Sequence, residues 1–587
     1  MPPASNKKFR AILKSYPTLS GVVEHLDGYL QARYPDFFGP SASHPVMALK
    51  ASKVIHDNLW GTNSFWWHEL ALVDCPIFQR LRDIHQVGLA FQVYPSAQHT
   101  RFEHSLGVVT TASRIFDALL DRHSGEIRDI ARAIAPQTEP EQTVAQLRQE
   151  LRLAALLHDT GHSAYSHSSE RVYEKLDVLR AASEELSRFV GKQKGAGEVL
   201  SFCLASTNAV SELLARAKGR VSDNPAATAD NEIDLTNVAL LLVGRSRHPY
   251  LQFMGDIISS GFDADKLDYL LRDAAAAGLP LRYDLDRYLY SVQLMRETLA
   301  DPDGELERLY QSATGADVKA YQPAGPSKYP YFEAYRLRLP TRAMNTIEQI
   351  VICKLMLFSY VYHHPKVRAA EGMLERVLNG MIRTWRESGS TEEDILDRFL
   401  DMTDSTLRSI RYEINPTSDS YLYRLQNRLL PREVYGLGGD VATHAERPLL
   451  TDFLTSLQDK EARAGLVADI ERAIGEELLI IDSALGPAPQ DALLSAGVWL
   501  DVPKAPRFED VEELVVRDTP NVSGVPLLDV FPIGEWTEAY AHYRYRVRIF
   551  AFSEYCAKVE LAAKRAMQRI IKIEGDSFYQ RVKRVRA

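Results

Sequence analysis

The segment LRLAALLHDTGHSAYSH, residues 151–167, constrains this chain more than any other. It begins with apolar residues at helical spacing, so one face of a helix packs into a core. That face runs directly into His158 and Asp159. An imidazole and a carboxylate carried into an interior are costly unless partners meet them there. His158 and His162 are four apart and share a face if the helix continues, whereas Gly161 can end it. Any fold of this chain has to bring polar partners to this point.

Two other segments offer such partners. HTRFEHSLGV (99–108) puts His104 on the first turns of an apolar-periodic helix. GFDADKLDYLLRD (261–273) follows a turn-like SSG and carries Asp263, Asp265, Lys266, Asp268 and Asp273. Taken singly, each has a plain explanation: a satisfied core histidine, or an acidic helix face with an N-cap. Taken in order, His104, the 158–159 pair and Asp265 form an H…HD…D series. Imidazole plus carboxylate is the ligand set of a catalytic divalent metal that polarises oxygen and generates hydroxide near neutral pH.

Most of the remaining chain reads helical, for example AEGMLERVLNGMIRTWRES (370–388), TEEDILDRFLDM (391–402) and FSEYCAKVELAAKRAMQRIIKI (552–573). Residues 309–340, with alternating YFEAYRLRL, predict a short strand beside a loop. Residues 497–551, with GVWLDVPKAP, VEELVVRD and YRYRVRIFAF, also read as strands between turns. At 587 residues, 45% hydrophobic and 25% charged, the chain can build several domains, and disorder is excluded as its main state. A net charge of -9 argues against a general nucleic-acid coat but leaves room for local basic pockets. Cys75, Cys203, Cys353 and Cys556 are scattered, which excludes a disulfide framework and a cysteine zinc site. The longest apolar run, VALLLVG (238–244), is far below a membrane span, and the charged N-terminus lacks a secretory signal's apolar stretch. No membrane association and a cytoplasmic location are expected.

The ordered motifs go further. KVIHDNLWG (53–61), LVDCPIFQRLRDIHQVG (72–88), YPSAQHTRFEHSLGV (94–108), HDTGHSAYSH (158–167), DADKLDYLLRD (263–273) and YVYHHPKVRAAEGML (360–374) occur in sequence. Together they resemble the deoxynucleoside triphosphate (dNTP) triphosphohydrolase branch of the HD-domain phosphohydrolases, convincingly over roughly residues 45–375. The resemblance implies a mainly α chain with an HD-domain helical core, small β elements and an α+β C-terminal lobe. The expected divisions are an N-terminal arm (1–45), the catalytic core (46–285), a mixed insertion with helices completing the active site (286–410), and a C-terminal lobe for assembly or regulation (411–587).

The resemblance also implies site roles. His104, His158, Asp159 and Asp265 would hold a divalent metal (Mn, Mg, Fe or Zn) or one of a pair of metals. Arg101, Lys266 and Lys354 would contact the triphosphate, Lys354 replacing the family's usual arginine as a point charge. Gln86, Tyr269, Asp273 and Tyr362 would hold the deoxyribose, Tyr362 closing against C2′. His162 would orient phosphate, and His167 would be the general acid for the 5′-oxygen. The implied reaction releases a deoxynucleoside and inorganic triphosphate. A further histidine of the animal enzymes has no counterpart in GKQKGAGEVLSF (191–202), leaving Lys192 or Lys194 in its place. Lys53, Val54, Asp74, Gln79 and Arg82 match positions that bind an activating nucleotide between subunits, in a homo-oligomer (dimer, tetramer or hexamer). Equally, Gln79 and Arg82 would pair along a helix.

Three rival readings remain. One is another HD activity, such as a nucleotidase or phosphodiesterase. The second is nucleic-acid binding through the basic tail from Lys564 onward. The third is a nucleotide sensor in a bacterial antiphage system that depletes dNTPs.

Overall fold

The computed structural model describes residues 13–39, 52–218, 233–314, 329–410, 416–437, 460–503 and 546–571, with isolated short pieces at 42, 318, 320, within 452–457 and within 515–536. The end of the basic tail, QRVKRVRA, lies outside the described residues. The architecture is mainly α, with small antiparallel sheets.

Three helices converge where the histidines and aspartates lie. Arg101–Arg122 is buried on nearly every side, through Phe102, Leu106, Val109, Ala112, Ile115 and Phe116. It packs against Pro140–Leu157 and Ala264–Ala276. Pro140 starts the second helix at the position where its missing N–H costs nothing. Asp263 caps the third, its carboxylate accepting the Lys266 N–H at 2.8 Å. Close approach of the first and third helices depends on Gly107, because a Cβ there would overlap Asp268 Oδ1 and Arg272 Nη2.

The strands sit around this helical body. Ser52–Asp57 and Gly61–Trp66 form a hairpin whose turn is held by the Asp57 carboxylate, which accepts the Leu59 and Trp60 N–H groups at 2.7 and 2.8 Å. Gln293–Ala300 pairs antiparallel with Tyr331–Arg338, so the strand expected from YFEAYRLRL is present and has a partner that the sequence reading did not find. Toward the C-terminus, Val547–Ala551 lies between Arg432–Leu437 and Trp499–Asp501. Helices Lys460–Ile481 and Cys556–Ile571 join that sheet to form a second apolar cluster, including Val434, Ile474, Leu478, Ile549 and Met567. Within the segment read as an arm, helix Pro17–Arg33 inserts Leu19, Val22, Leu26 and Leu30 into the main core. Among the described residues, no helix is long and apolar enough to cross a membrane.

Candidate metal centre and substrate pocket

His104 sits on the first turn of its helix, and its side chain is fully buried. Its Nδ1 donates to Asp268 Oδ2 at 2.7 Å, while Nε2 lies 2.9 Å from Asp265 Oδ1. His158 follows the last turn of Pro140–Leu157; its Nδ1 donates to the Ala155 carbonyl at 2.7 Å, which turns Nε2 toward His104 Nε2 at 3.3 Å. The helix therefore stops at the HD pair, as the Gly161 alternative required, and residues 158–161 form a turn. Asp159 completes the group, 3.4 Å from His158 Nε2 and 3.7 Å from His104 Nε2. Ligands held about 2.1 Å from one ion lie roughly 3 to 3.5 Å apart, so this set fits a divalent cation. His104, His158 and Asp265 satisfy that convergence as a trio, and Asp159 Oδ2, although beside Arg101, makes no hydrogen bond.

A second layer holds these ligands in place. On helix Ala264–Ala276, Asp265, Asp268, Tyr269, Arg272 and Asp273 share one face by their i+3 and i+4 spacing. Asp268 accepts from Arg272 and Trp60 as well as from His104, and Arg272 also binds Asp57 at 2.9 Å. The hairpin turn is thus tied to a metal-ligand candidate through one buried carboxylate. Burial lowers the His104 pKa, but hydrogen bonds to Asp265 and Asp268 outweigh it and push it up to about 10. A cation ligated by Nε2 must displace that proton, so its affinity rises with pH.

Beside the centre, Arg101 is fixed by its ion pair with Asp159 and by Nε donation to Ser166 Oγ at 2.8 Å. Its Nη2 is buried without a hydrogen-bond partner, leaving a donor for an anion. His162 Nε2 lies 3.4 Å from Asp159 Oδ1, and its ring meets the exposed His167 ring edge-on at 4.9 Å. Glu170 accepts from His167 Nδ1 at 2.7 Å and lies 3.9 Å from His162 Nδ1. His162, His167 and Glu170 therefore form a second convergent donor group, which fits a second cation or an acid–base set. Sequence reasoning missed Glu170, although its i+3 spacing from His167 was a usable signal. Gly197 lets the first turn of helix Ala196–Ala205 approach, since a Cβ there would meet the His162 ring at 2.6 Å.

Burial first, and Arg101 second, push His162 down to about 3, making it a neutral imidazole at working pH. Burial likewise lowers His68 to about 4 and His363 to about 3. In the unfolded chain these groups take up protons near 6.5, so stability falls as pH drops below 6.5, by up to about 1.4 kcal/mol per pH unit for each. His25, His85, His104 and His158, whose pKa values are raised, gain stability only as pH falls to about 6.5 and hold it constant below, so they offset little of a loss that begins there. Urea unfolding in EDTA at pH 5.0 should show a folded state several kcal/mol weaker than at pH 6.5. Equal stability would contradict this assignment.

The proposed sugar residues also come together. Asp273 accepts from His99 Nε2 at 2.8 Å and from the Tyr362 hydroxyl, and the Gln86 N–H donates to the His99 carbonyl. Gln86 Oε1 and His99 Nδ1 are buried without hydrogen-bond partners. Tyr362 ends a π-helical turn, Phe358–Tyr362, an irregularity frequent at functional sites. His99 was missed because one histidine before a helix carries no pattern. Lys266 Nζ is committed to Ser260 O at 2.8 Å and Asp263 at 2.7 Å. Lys354 is half-buried on helix Met344–Leu357. Lys194 Nζ binds Glu198 and Ser259. Lys53 and Val54 are exposed on the hairpin and Asp74 is exposed at a helix end. Gln79 binds the Val73 carbonyl and accepts from Arg82 Nε at 2.8 Å, the local pairing that was the alternative to nucleotide contact.

Residues 101–221 match the HD domain family, and residues 331–576 match the HD associated region. An uncharacterized protein of Methanocaldococcus jannaschii is 27% identical over 56% of this chain and 49% of its own length. A deoxynucleoside triphosphate triphosphohydrolase SAMHD1 homolog of Dictyostelium discoideum is 26% identical over 45% and 44%. Mus musculus deoxynucleoside triphosphate triphosphohydrolase SAMHD1 is 29% identical over 40% and 33%. The chain spans half or less of the length of these relatives.

Proposed function

Because this chain belongs to the HD-domain family, with dNTP triphosphohydrolases among its relatives, we propose that it is a metal-dependent hydrolase that converts a dNTP to a deoxynucleoside and inorganic triphosphate. What supports this reading is one arrangement: the donor atoms of His104, His158, Asp159 and Asp265 converge beside a wall built from Gln86, His99, Asp273 and Tyr362. The divalent cation supplies charge that polarises a phosphoryl oxygen and acidifies water.

The chain's own groups do the rest. Arg101, held by Asp159 and Ser166, presents Nη2 to a phosphate oxygen without having to reorganise. Neutral His162 donates a hydrogen bond to phosphate. Water attacks the α-phosphorus, the bond to the 5′-oxygen breaks, and His167 gives that oxygen its proton while Glu170 holds the ring. Asp273 accepts from the 3′-hydroxyl, and the Tyr362 ring leaves no space for a 2′-hydroxyl. The hairpin bearing Lys53 and Val54 reaches His104 through Trp60 and Asp268, which gives an activating nucleotide in a homo-oligomer a physical route to the metal centre.

His167→Ala should lower kcat by about 10²- to 10⁴-fold with unchanged metal content. His167 is 72% exposed, so the fold should tolerate the change. Undiminished turnover would sink the general-acid role. The sugar assignment predicts that wild-type protein consumes a dNTP and leaves the matching ribonucleotide; equal consumption of both would overturn it.

A further inference from the structure

A cavity of about 230 Å³ is walled by the end of helix Asp177–Val190, the end of Leu235–Leu242, helix Gln252–Ile258 and strand Tyr331–Arg338. Its lining includes four cationic side chains, Lys192, Arg245, Arg336 and Arg338, and one carboxylate, Asp256. Asp256 is taken up by Arg336 Nε at 2.8 Å and the Leu337 N–H at 3.0 Å, while Arg338 is matched by Glu297 outside the lining. Arg245 donates to the Val190 carbonyl and pairs with no carboxylate among the described residues. Burial, and beyond it the facing Arg336 charge, lower its pKa, while Asp256 and Asp301 act on it in the opposite direction. Within the lining, four cationic side chains thus face a single carboxylate.

Three further features mark it as built to receive a ligand. Gly191 and Gly244, both with left-handed φ (69° and 74°), form part of the wall, and a Cβ at Gly191 would approach Arg245 Nη2 at 3.0 Å. Gln252, a lining residue, is 2% exposed; its Nε2 donates to the Gly244 carbonyl at 2.8 Å, and its Oε1 has no hydrogen-bond partner. The wall residues Ser259 and Ser260 are tied to Lys194 Nζ (3.2 Å) and Lys266 Nζ (2.8 Å), two lysines flanking the catalytic region.

We propose that this cavity binds a compact inorganic phosphate anion, from orthophosphate to triphosphate, at a site separate from the metal centre. Guanidinium groups match phosphate oxygens in charge and geometry. A partly protonated phosphate, with a pKa near 6, also supplies the P–OH donor that Gln252 Oε1 lacks. The volume is below that of a drug-sized pocket, so it suits the anion and not a whole nucleotide. Occupancy would reposition Ser259 and Ser260, and through them Lys194 and Lys266. Identifying the natural occupant as product triphosphate rests on the proposed dNTP hydrolysis; anion binding itself does not.

Titration calorimetry of the full chain with sodium pyrophosphate in EDTA tests the site without requiring turnover. Wild-type protein should bind saturably. Lys192→Glu, at an exposed position, should weaken binding at least tenfold, as should Arg245→Gln, while Asp265→Asn should bind like wild type. Crystals soaked in pyrophosphate should show the anion against Arg245 and Arg338. Binding unaffected by Lys192→Glu, or an anion seated at the metal centre alone, would overturn the proposal.

Discussion

Asp265→Asn is expected to abolish turnover, with a loss of at least about a thousandfold, while the protein stays folded. The substitution keeps the shape of the side chain and removes the charge of one metal-ligand candidate. A thousandfold loss corresponds to about 4 kcal/mol of transition-state stabilisation, within the several kcal/mol that a bound cation supplies. Its structural cost should be small, because the Asp265 side chain is 34% exposed and His104 keeps its buried bond to Asp268. Hydrogen bonding to His104 holds the Asp265 carboxyl down at about 2 against the opposing effect of burial, so it is ionised throughout the working range. Metal content measured by plasma mass spectrometry should fall together with kcat. Full activity with full metal occupancy would remove Asp265 from the centre.

Asp404→Ala should have the largest effect on the fold near the site. Asp404 is fully buried and accepts from the His85 N–H at 3.1 Å, from His85 Nδ1 and from the Tyr165 N–H at 2.6 Å. Tyr165 and Ser166 adopt left-handed φ of 55° and 57°, which L residues rarely take and which the surroundings must enforce. Ser166 in turn donates to the His85 carbonyl and receives Arg101 Nε. Removing the carboxylate strands these buried donors and one member of an ion pair, a loss of about 3–5 kcal/mol. The 165–167 turn should relax, carrying His167 and Arg101 out of register, so kcat should fall together with stability. Asp404→Asn, which retains an acceptor for the Tyr165 N–H, should lose less on both measures. Unchanged stability in Asp404→Ala would show that other contacts hold the turn.

These two residues also mark what could be read without coordinates. His104 and Asp265 each have a plain local explanation; their order around the His158–Asp159 pair, which apolar periodicity carries toward an interior where it needs partners, is what made them legible. The roles expected of Tyr269 and Asp273 on helix Ala264–Ala276 came from the family resemblance and not from spacing. Asp404 carries no such signal: it meets His85 across 319 residues of sequence, and periodicity reports which face of an element is buried but not which distant element covers it. The same limit hid the pairing of His99 with Asp273, the strand Gln293–Ala300, and the cavity assembled from Lys192, Arg245 and Arg336. Nor does the sequence show that the Lys266 ammonium donates to the Ser260 carbonyl and the Asp263 carboxylate. Helix Pro17–Arg33 was passed over although Pro17 is a start signal, because its apolar positions are spread over much of the helix surface.

The most direct test of the central claim is product identification. Purified protein with Mn²⁺ or Mg²⁺ would be given each dNTP and each ribonucleotide separately, then in pairs, and the products resolved by ion exchange. Deoxynucleoside and inorganic triphosphate, formed from dNTPs only, are the predicted products. Release of a monophosphate with pyrophosphate, or of a diphosphate with orthophosphate, would place the cleavage elsewhere and contradict the account.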